Sequence, residues 1–226
     1  MSYFPQQVRN LNCDEIQVMK AIQHPNVITF YGVHEEIGDI YIMMELAENG
    51  DVRRFLDRLH DMKDKLPMAI LWKWALESAC GIHYLHGMNH IHRDIKSLNY
   101  LITKDFTIKL GDLGLAKFME GTQQTSRARG TCRWMAPEVI KEQKRSIKSD
   151  MFSFGIVVWE LYTTEIPFSN KKGDFQVMTA ICQGQRPEIP QECPQELGQL
   201  IEACWQEDYE KRPDTVELRR MLQGCK

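Results

Sequence analysis

Apolar positions recur with helical spacing at Val8, Leu11, Ile16, Met19 and Ile22, predicting a helix over residues 8–22. It ends before His24-Pro25, where proline forbids continuation. Two apolar runs follow, Val27 to Gly32 and Ile40 to Met44. They predict a pair of strands joined by a polar turn containing Gly38. From Pro67 to Gly87 the apolar residues Ile70, Leu71, Trp74, Ala75, Ala79, Ile82 and Leu85 keep helical period for about five turns. Residues 100–102 and 107–110 read as a short hairpin around Lys104-Asp105. Ser149 to Tyr162 is apolar on nearly every face, so the helix it forms must be central to the core.

Composition changes this picture little. A chain of 226 residues, 43% hydrophobic and 26% charged, can bury a sizeable core as one globular domain. A net charge of −3 points away from nucleic acid and from a polybasic membrane contact. The seven cysteines are odd in number and scattered without a CxxC pair, which suits reduced thiols in a cytoplasmic protein. No apolar run approaches the ~20 residues of a membrane span, and Met1 to Asn10 lacks the apolar stretch of a signal peptide, so no membrane insertion is expected.

The chemistry concentrates in His92-Arg93-Asp94-Ile95-Lys96-Ser97-Leu98-Asn99, followed thirteen residues later by Asp112-Leu113-Gly114. Phosphoryl transfer requires such a set. A carboxylate (Asp94) accepts the proton of an attacking hydroxyl, and a lysine (Lys96) neutralises charge on the transferred group. An amide and a second carboxylate (Asn99 and Asp112) hold Mg²⁺ through hard oxygen ligands. His83, His86, His90 and His92 also invite a zinc hydrolase reading. Their spacing lacks the Glu of HExxH, and no cysteine or acid is placed to complete a shell.

H-R-D-x-K-x-x-N with a following D-x-G resembles the protein-kinase catalytic loop and metal-binding turn, and Ala136-Pro137-Glu138 follows in the family's order. The resemblance runs from the C-helix to the last helix of the large lobe. It implies an α+β, bilobal protein-kinase-like fold, with a truncated small lobe at 1–46 and a mainly α-helical large lobe at 47–226, together one domain. ATP and Mg²⁺ are the implied cofactors. Met44 would guard the back of the nucleotide pocket, with the Glu45 carbonyl and Ala47 amide facing adenine and Leu101 forming its floor. Asp51 would reach a ribose hydroxyl, or serve as a helix N-cap; both can hold at once. Glu15 stands where the family has its C-helix glutamate, His92 as a core histidine bracing the loop, and Thr131 where it hydrogen-bonds near Asp94 and Lys96. Asp150 resembles the acceptor of catalytic-loop N–H groups, and Arg212 the partner of Glu138.

Residues 117–135 resemble an activation segment, in which Thr122, Thr125 and Ser126 are candidate phosphosites for an upstream kinase. Arg93 would offer a phosphate there a bidentate partner; the plainer reading is a solvated loop with incidental hydroxyls. Leu113 replaces the phenylalanine usual in the metal turn and leaves the carboxylate unchanged. Lys96 and Thr131 match serine/threonine kinases, while Trp134-Met135-Ala136-Pro137-Glu138 and Cys204-Trp205 have a tyrosine-kinase flavour. That mixture resembles the tyrosine-kinase-like group, especially its mixed-lineage and MAP-kinase-kinase-kinase-like members. The expectation is a serine/threonine kinase of intracellular signalling acting on protein hydroxyls. No Gly-x-Gly-x-x-Gly occurs in the 226 residues and no lysine precedes Lys20. The glycine loop and phosphate-anchoring lysine are therefore expected to be missing from a truncated small lobe. The alternative is a catalytically impaired kinase-fold fragment or pseudokinase that binds partners.

Overall fold

The computed structural model describes residues 19–36, 39–112 and 131–224. It is mostly helical, with two small antiparallel sheets near the start of the chain and in the middle. β1 (Phe30–Glu36) and β2 (Asp39–Met44) pair antiparallel from Phe30 opposite Met44 to Glu36 opposite Asp39, with a register shift between Phe30 and Gly32. Met19, Phe30 and Ile42 form a separate small core there, with Val33 and Met44 packed on it. The strand expected over 27–32 begins three residues later. Val27 bridges Leu110, and Ile28 donates its amide to the Leu110 carbonyl at 2.9 Å, so this part of the apolar run joins the other sheet. Of the helix expected over 8–22, residues 19–21 are helical and Glu15 lies outside the described residues.

A polar connector leads into α1 (Val52–Asp61), capped by Asp51, whose carboxylate accepts from the Arg54 amide at 2.9 Å. α2 (Met68–Gly87) matches its predicted span, with Pro67 as its N-cap. It buries Leu71, Trp74, Ala75, Ala79, Ile82 and Leu85 along one stripe. Each fully buried side chain of this size contributes about 1.5–3 kcal/mol by leaving water. The Trp74 indole N–H is satisfied by the Phe106 carbonyl at 3.0 Å. β3 (Tyr100–Ile102) and β4 (Ile108–Leu110) form the predicted hairpin.

α3 (Pro137–Glu142) carries the Pro-Glu step. α4 (Ile147–Thr163) starts two residues before the apolar run. Ser146 and Ser149 there exchange side-chain and backbone bonds as a capping box, satisfying two otherwise orphaned amides. As its composition required, α4 is buried along almost its whole length. α5 (Asp174–Cys182), α6 (Gln195–Cys204) and α7 (Thr215–Gly224) complete the core: α6 packs on α4, and α7 on α2. Gly155 is what lets α6 approach, because a Cβ there would lie 2.7 Å from Cys204 Cβ. Cys204 is buried in this contact, while Cys182 and Cys193 are half-buried and unpaired. Among the described residues no helix is long and apolar enough to cross a membrane.

Candidate active site

The loop between α2 and β3 is held from beneath by α4. Asp150 lies one turn into that helix, and its carboxylate accepts the His92 amide (2.9 Å) and the Arg93 amide (2.9 Å). His86 Nε2 meets the same carboxylate at 2.8 Å. A buried carboxylate is tolerated only with such donors. They also hold Arg93 in left-handed backbone (φ 72°), which costs a non-glycine residue roughly 1–2 kcal/mol.

His92 is 3% exposed. Its Nδ1 accepts the Asp94 amide (3.3 Å), so the Nε2 proton goes to the Gly111 carbonyl (2.9 Å). One histidine thus fixes the loop against the segment that carries Asp112. The Gly111 amide closes the circuit on the Asn99 carbonyl at 2.8 Å.

Within this frame the polar groups converge. Lys96 Nζ lies 2.7 Å from Asp94 Oδ2 and donates to Thr131 Oγ1 at 3.1 Å. Asn99 Nδ2 donates to the Asp94 carbonyl (2.7 Å) and to Oδ2 (3.1 Å). Asp94 Oδ2 is therefore saturated, whereas Oδ1 is buried without a hydrogen-bond partner among the described residues, and so is Asp112 Oδ1. Buried polar atoms in native proteins nearly always have partners, so two orphaned carboxylate oxygens on adjoining segments call for an occupant such as a cation, a water or a substrate group. With its nitrogen committed to Asp94, Asn99 has its amide oxygen left for a cation. A carboxylate (Asp112) and an amide oxygen (Asn99) are hard donors of the kind Mg²⁺ takes while retaining water, so these residues fit that ion.

The connector side brings Leu101 beside Asp51 through a bridge between their backbones. The Asn49 amide donates to Ile102 O (3.0 Å), and the Ile102 amide to Gly50 O (2.8 Å). Glu45 donates its amide to Thr29 O (2.8 Å), and its carboxylate pairs with Lys109 (2.6 Å) and accepts from the Thr29 amide and hydroxyl. Burial pushes that carboxyl up, but Lys109 and Thr29 outweigh it and leave it below the usual glutamate value. Met44 ends β2 next to this group. The Asp51 carboxylate is engaged as the cap of α1 and faces Arg54 at 3.3 Å.

The histidines of the zinc reading go to separate partners: His83 to Thr215 (2.9 Å), His86 to Asp150 and His92 to Gly111. Among the described residues no three His, Cys, Asp or Glu side chains gather into a metal-sized group. Arg212 grips Glu138 with two parallel bonds of 2.7 and 2.9 Å, both residues buried. Thr122, Thr125 and Ser126 lie outside the described residues.

Sequence reasoning missed Glu160. It is fully buried in α4, accepting from Arg53 (2.9 Å) and the Ser97 hydroxyl (2.8 Å) on one oxygen and from the Trp134 indole (2.7 Å) on the other. It ties the loop before β3, the run before α3 and α1 to one point. Burial pushes its carboxyl up, against the pull of Arg53, Trp134 and Ser97. The signal was available: Glu160 is the one charged residue between Met151 and Tyr162, and a charge in an all-apolar helix needs a partner.

Residues 4–222 match the model of the protein tyrosine and serine/threonine kinase family. The chain belongs to that family. Among its kinase relatives, the serine/threonine-protein kinase STY17 of Arabidopsis thaliana is 36% identical over 92% of this chain and 36% of its own length. The dual specificity protein kinase shkC of Dictyostelium discoideum is 36% identical over 90% of this chain and 41% of its own length. The serine/threonine/tyrosine-protein kinase HT1 of Arabidopsis thaliana is 32% identical over 92% and 53%. The chain therefore spans about a third to a half of the length of these kinases.

Proposed function

We propose that this kinase-family chain transfers the γ-phosphoryl group of ATP to serine or threonine hydroxyls of proteins, in intracellular signalling of the MAP-kinase-cascade type. The observation that carries the reading is the asymmetry of Asp94. One oxygen is saturated by Lys96 and Asn99 and the other is buried and unpartnered. A carboxylate so divided is oriented by one oxygen and free to accept a proton at the other. In the transfer the substrate oxygen forms a bond to the γ-phosphorus as the bond to the β-phosphate oxygen breaks. The hydroxyl proton passes to Asp94 Oδ1, and ADP leaves. Lys96 offsets charge on the transferred group, and its bond to Thr131 fixes the ammonium. Asn99 and Asp112 would hold Mg²⁺, which when bound neutralises phosphate charge. Met44, Glu45, Ala47, Asp51 and Leu101 are assigned to the adenosine side. The relatives' printed specificities include serine/threonine, dual and serine/threonine/tyrosine. Lys96 bonded to Thr131 beside Asp94 is what favours a short aliphatic hydroxyl here. A radiolabelled peptide array with ATP·Mg²⁺ tests this. Label on serine and threonine that disappears in Asp94→Asn is expected; predominant phosphotyrosine would refute the specificity. Nucleotide binding without turnover would favour the non-catalytic, partner-binding alternative.

A further inference from the structure

On the flank of α2, away from Asp94, lies a cavity of about 400 Å³ lined by His24, Cys80, His83, Tyr84, Met88 and Arg219. That is room for a small organic molecule rather than one water. Among the described residues its lining includes no carboxylate, yet Arg219 presents a guanidinium whose Nε is buried with no hydrogen-bond partner among them. His24 Nδ1 accepts the Asn26 amide at 3.1 Å, so in the neutral ring Nε2 carries a proton to donate. The ring stacks on Tyr84 with centroids 5.0 Å apart, and His83 is anchored to Thr215 at 2.9 Å. Burial, followed by the positive groups facing it, Arg219 from α7, His83 from α2 and Lys109 from β4, holds His24 below its usual value. Among the described residues the local field is thus positive. Met88 and Cys80 give the cavity a soft, largely apolar wall.

We propose that this cavity binds a small organic oxyanion, a carboxylate or phosphate monoester on a short apolar body, with Arg219 as its charge partner. Guanidinium recognises either headgroup through paired N–H bonds, and His24 and His83 lie within the same lining to add donors. Occupancy acts on the loop that carries His24. That loop lies directly on α2, where a Cβ at Gly81 would sit 2.7 Å from the Asn26 carbonyl oxygen.

The test follows the His24 and His83 ring resonances by NMR while the chain is titrated with phenyl phosphate, benzoate and inorganic phosphate in turn. Saturable shifts with a Kd of about 1 mM or tighter for at least one aryl anion are expected. A bound anion reverses the field at His24, so its titration midpoint should rise. Arg219→Gln should weaken binding about tenfold or more, and Arg219→Lys, which keeps the charge but loses the paired geometry, by less than that. Comparing the two aryl probes assigns the headgroup. Met88→Trp, which fills the cavity from an exposed rim position, should block binding without removing any charge. Absence of saturable shifts up to about 10 mM would overturn the proposal. So would binding unaffected by both Arg219→Gln and Met88→Trp, or ring shifts abolished by competing ATP·Mg²⁺.

Discussion

At the scale of single residues, the site separates carboxylates that look alike in sequence. Asp94 and Asp112 each have a buried, unpartnered oxygen, whereas both Asp150 oxygens are engaged. Asp94→Asn should lower phosphotransfer by about 10²–10⁴ through loss of the proton acceptor, with nucleotide affinity retained. Asp112→Asn should instead weaken Mg²⁺-dependent nucleotide binding. Single-turnover kinetics beside calorimetric titration with ATP·Mg²⁺ separates the two, and equal turnover in wild type and Asp94→Asn would defeat the assignment. Asp150→Ala belongs to a different class. It frees two amides and the Arg93 backbone at once, so activity and melting temperature should fall together. Glu160→Ala removes the acceptor shared by Arg53, Ser97 and Trp134 and leaves Arg53 its more exposed partner Asp57, and a loss of about 3 kcal/mol in urea unfolding is expected. Glu138→Ala should lose a similar amount by stranding Arg212.

At the scale of elements, what could be read in advance depended on whether one residue pattern had one structural solution. An apolar surface all round, as from Ser149 to Tyr162, can only be a central helix, and α4 is one. The five-turn stripe of α2 was equally plain. The run from Val27 to Gly32 was not, because an extended apolar segment does not say which strand it will join. Val27 and Ile28 went to Leu110, and the residues from Phe30 to β2. That Asp94, Lys96 and Asn99 would gather could be expected from their types and order on one short loop, and their side chains do meet. Glu160 required knowing what its helix would bury, and the cavity beside Arg219 required bringing α7 against α2, which sequence spacing does not reveal. The contact between α4 and α6 gives a prediction of its own. Gly155→Ala should cost about 1–3 kcal/mol by overpacking against Cys204. Cys204→Ala should not relieve it, because the clash is with the Cβ that alanine keeps. Thermal melts of the single and double variants check both statements.

For the molecule as a whole, the carboxyls divide into two groups with opposite effects on stability. Glu45, Glu207 and Asp214 are held below their ordinary values. For Glu45 and Glu207 burial pushes upward, but Lys109 with Thr29, and Arg186 with Lys141, outweigh it; for Asp214 the Glu217 amide is the largest cause. The native state therefore binds fewer protons than the unfolded chain across that range. The stability they contribute is present above the ordinary values of 4.5 and 3.8 and is lost as pH falls through the native ones. Glu77 has the opposite sign. Burial raises it despite its bond from the Ile108 amide, so its contribution is full below 4.5 and fades as pH rises through its native value. Urea unfolding at stepped pH should show a steep acid limb and a shallow decline above it. Glu77→Gln should reduce the shallow decline, to which the raised Glu160 carboxyl also contributes, and leave the acid limb in place. A last consequence concerns the loop from Asn26 to Ile28. It clasps Leu110 from both sides, donating at Ile28 and accepting at Asn26, one residue before Gly111 and two before Asp112. Any tilt of the first sheet is thereby transmitted as a pull on β4, like a lever hinged where Gly81 meets Asn26. Asp112 would then register the posture of the front of the molecule through main chain alone, and the Ile28 and Leu110 amides should exchange their hydrogens as one unit.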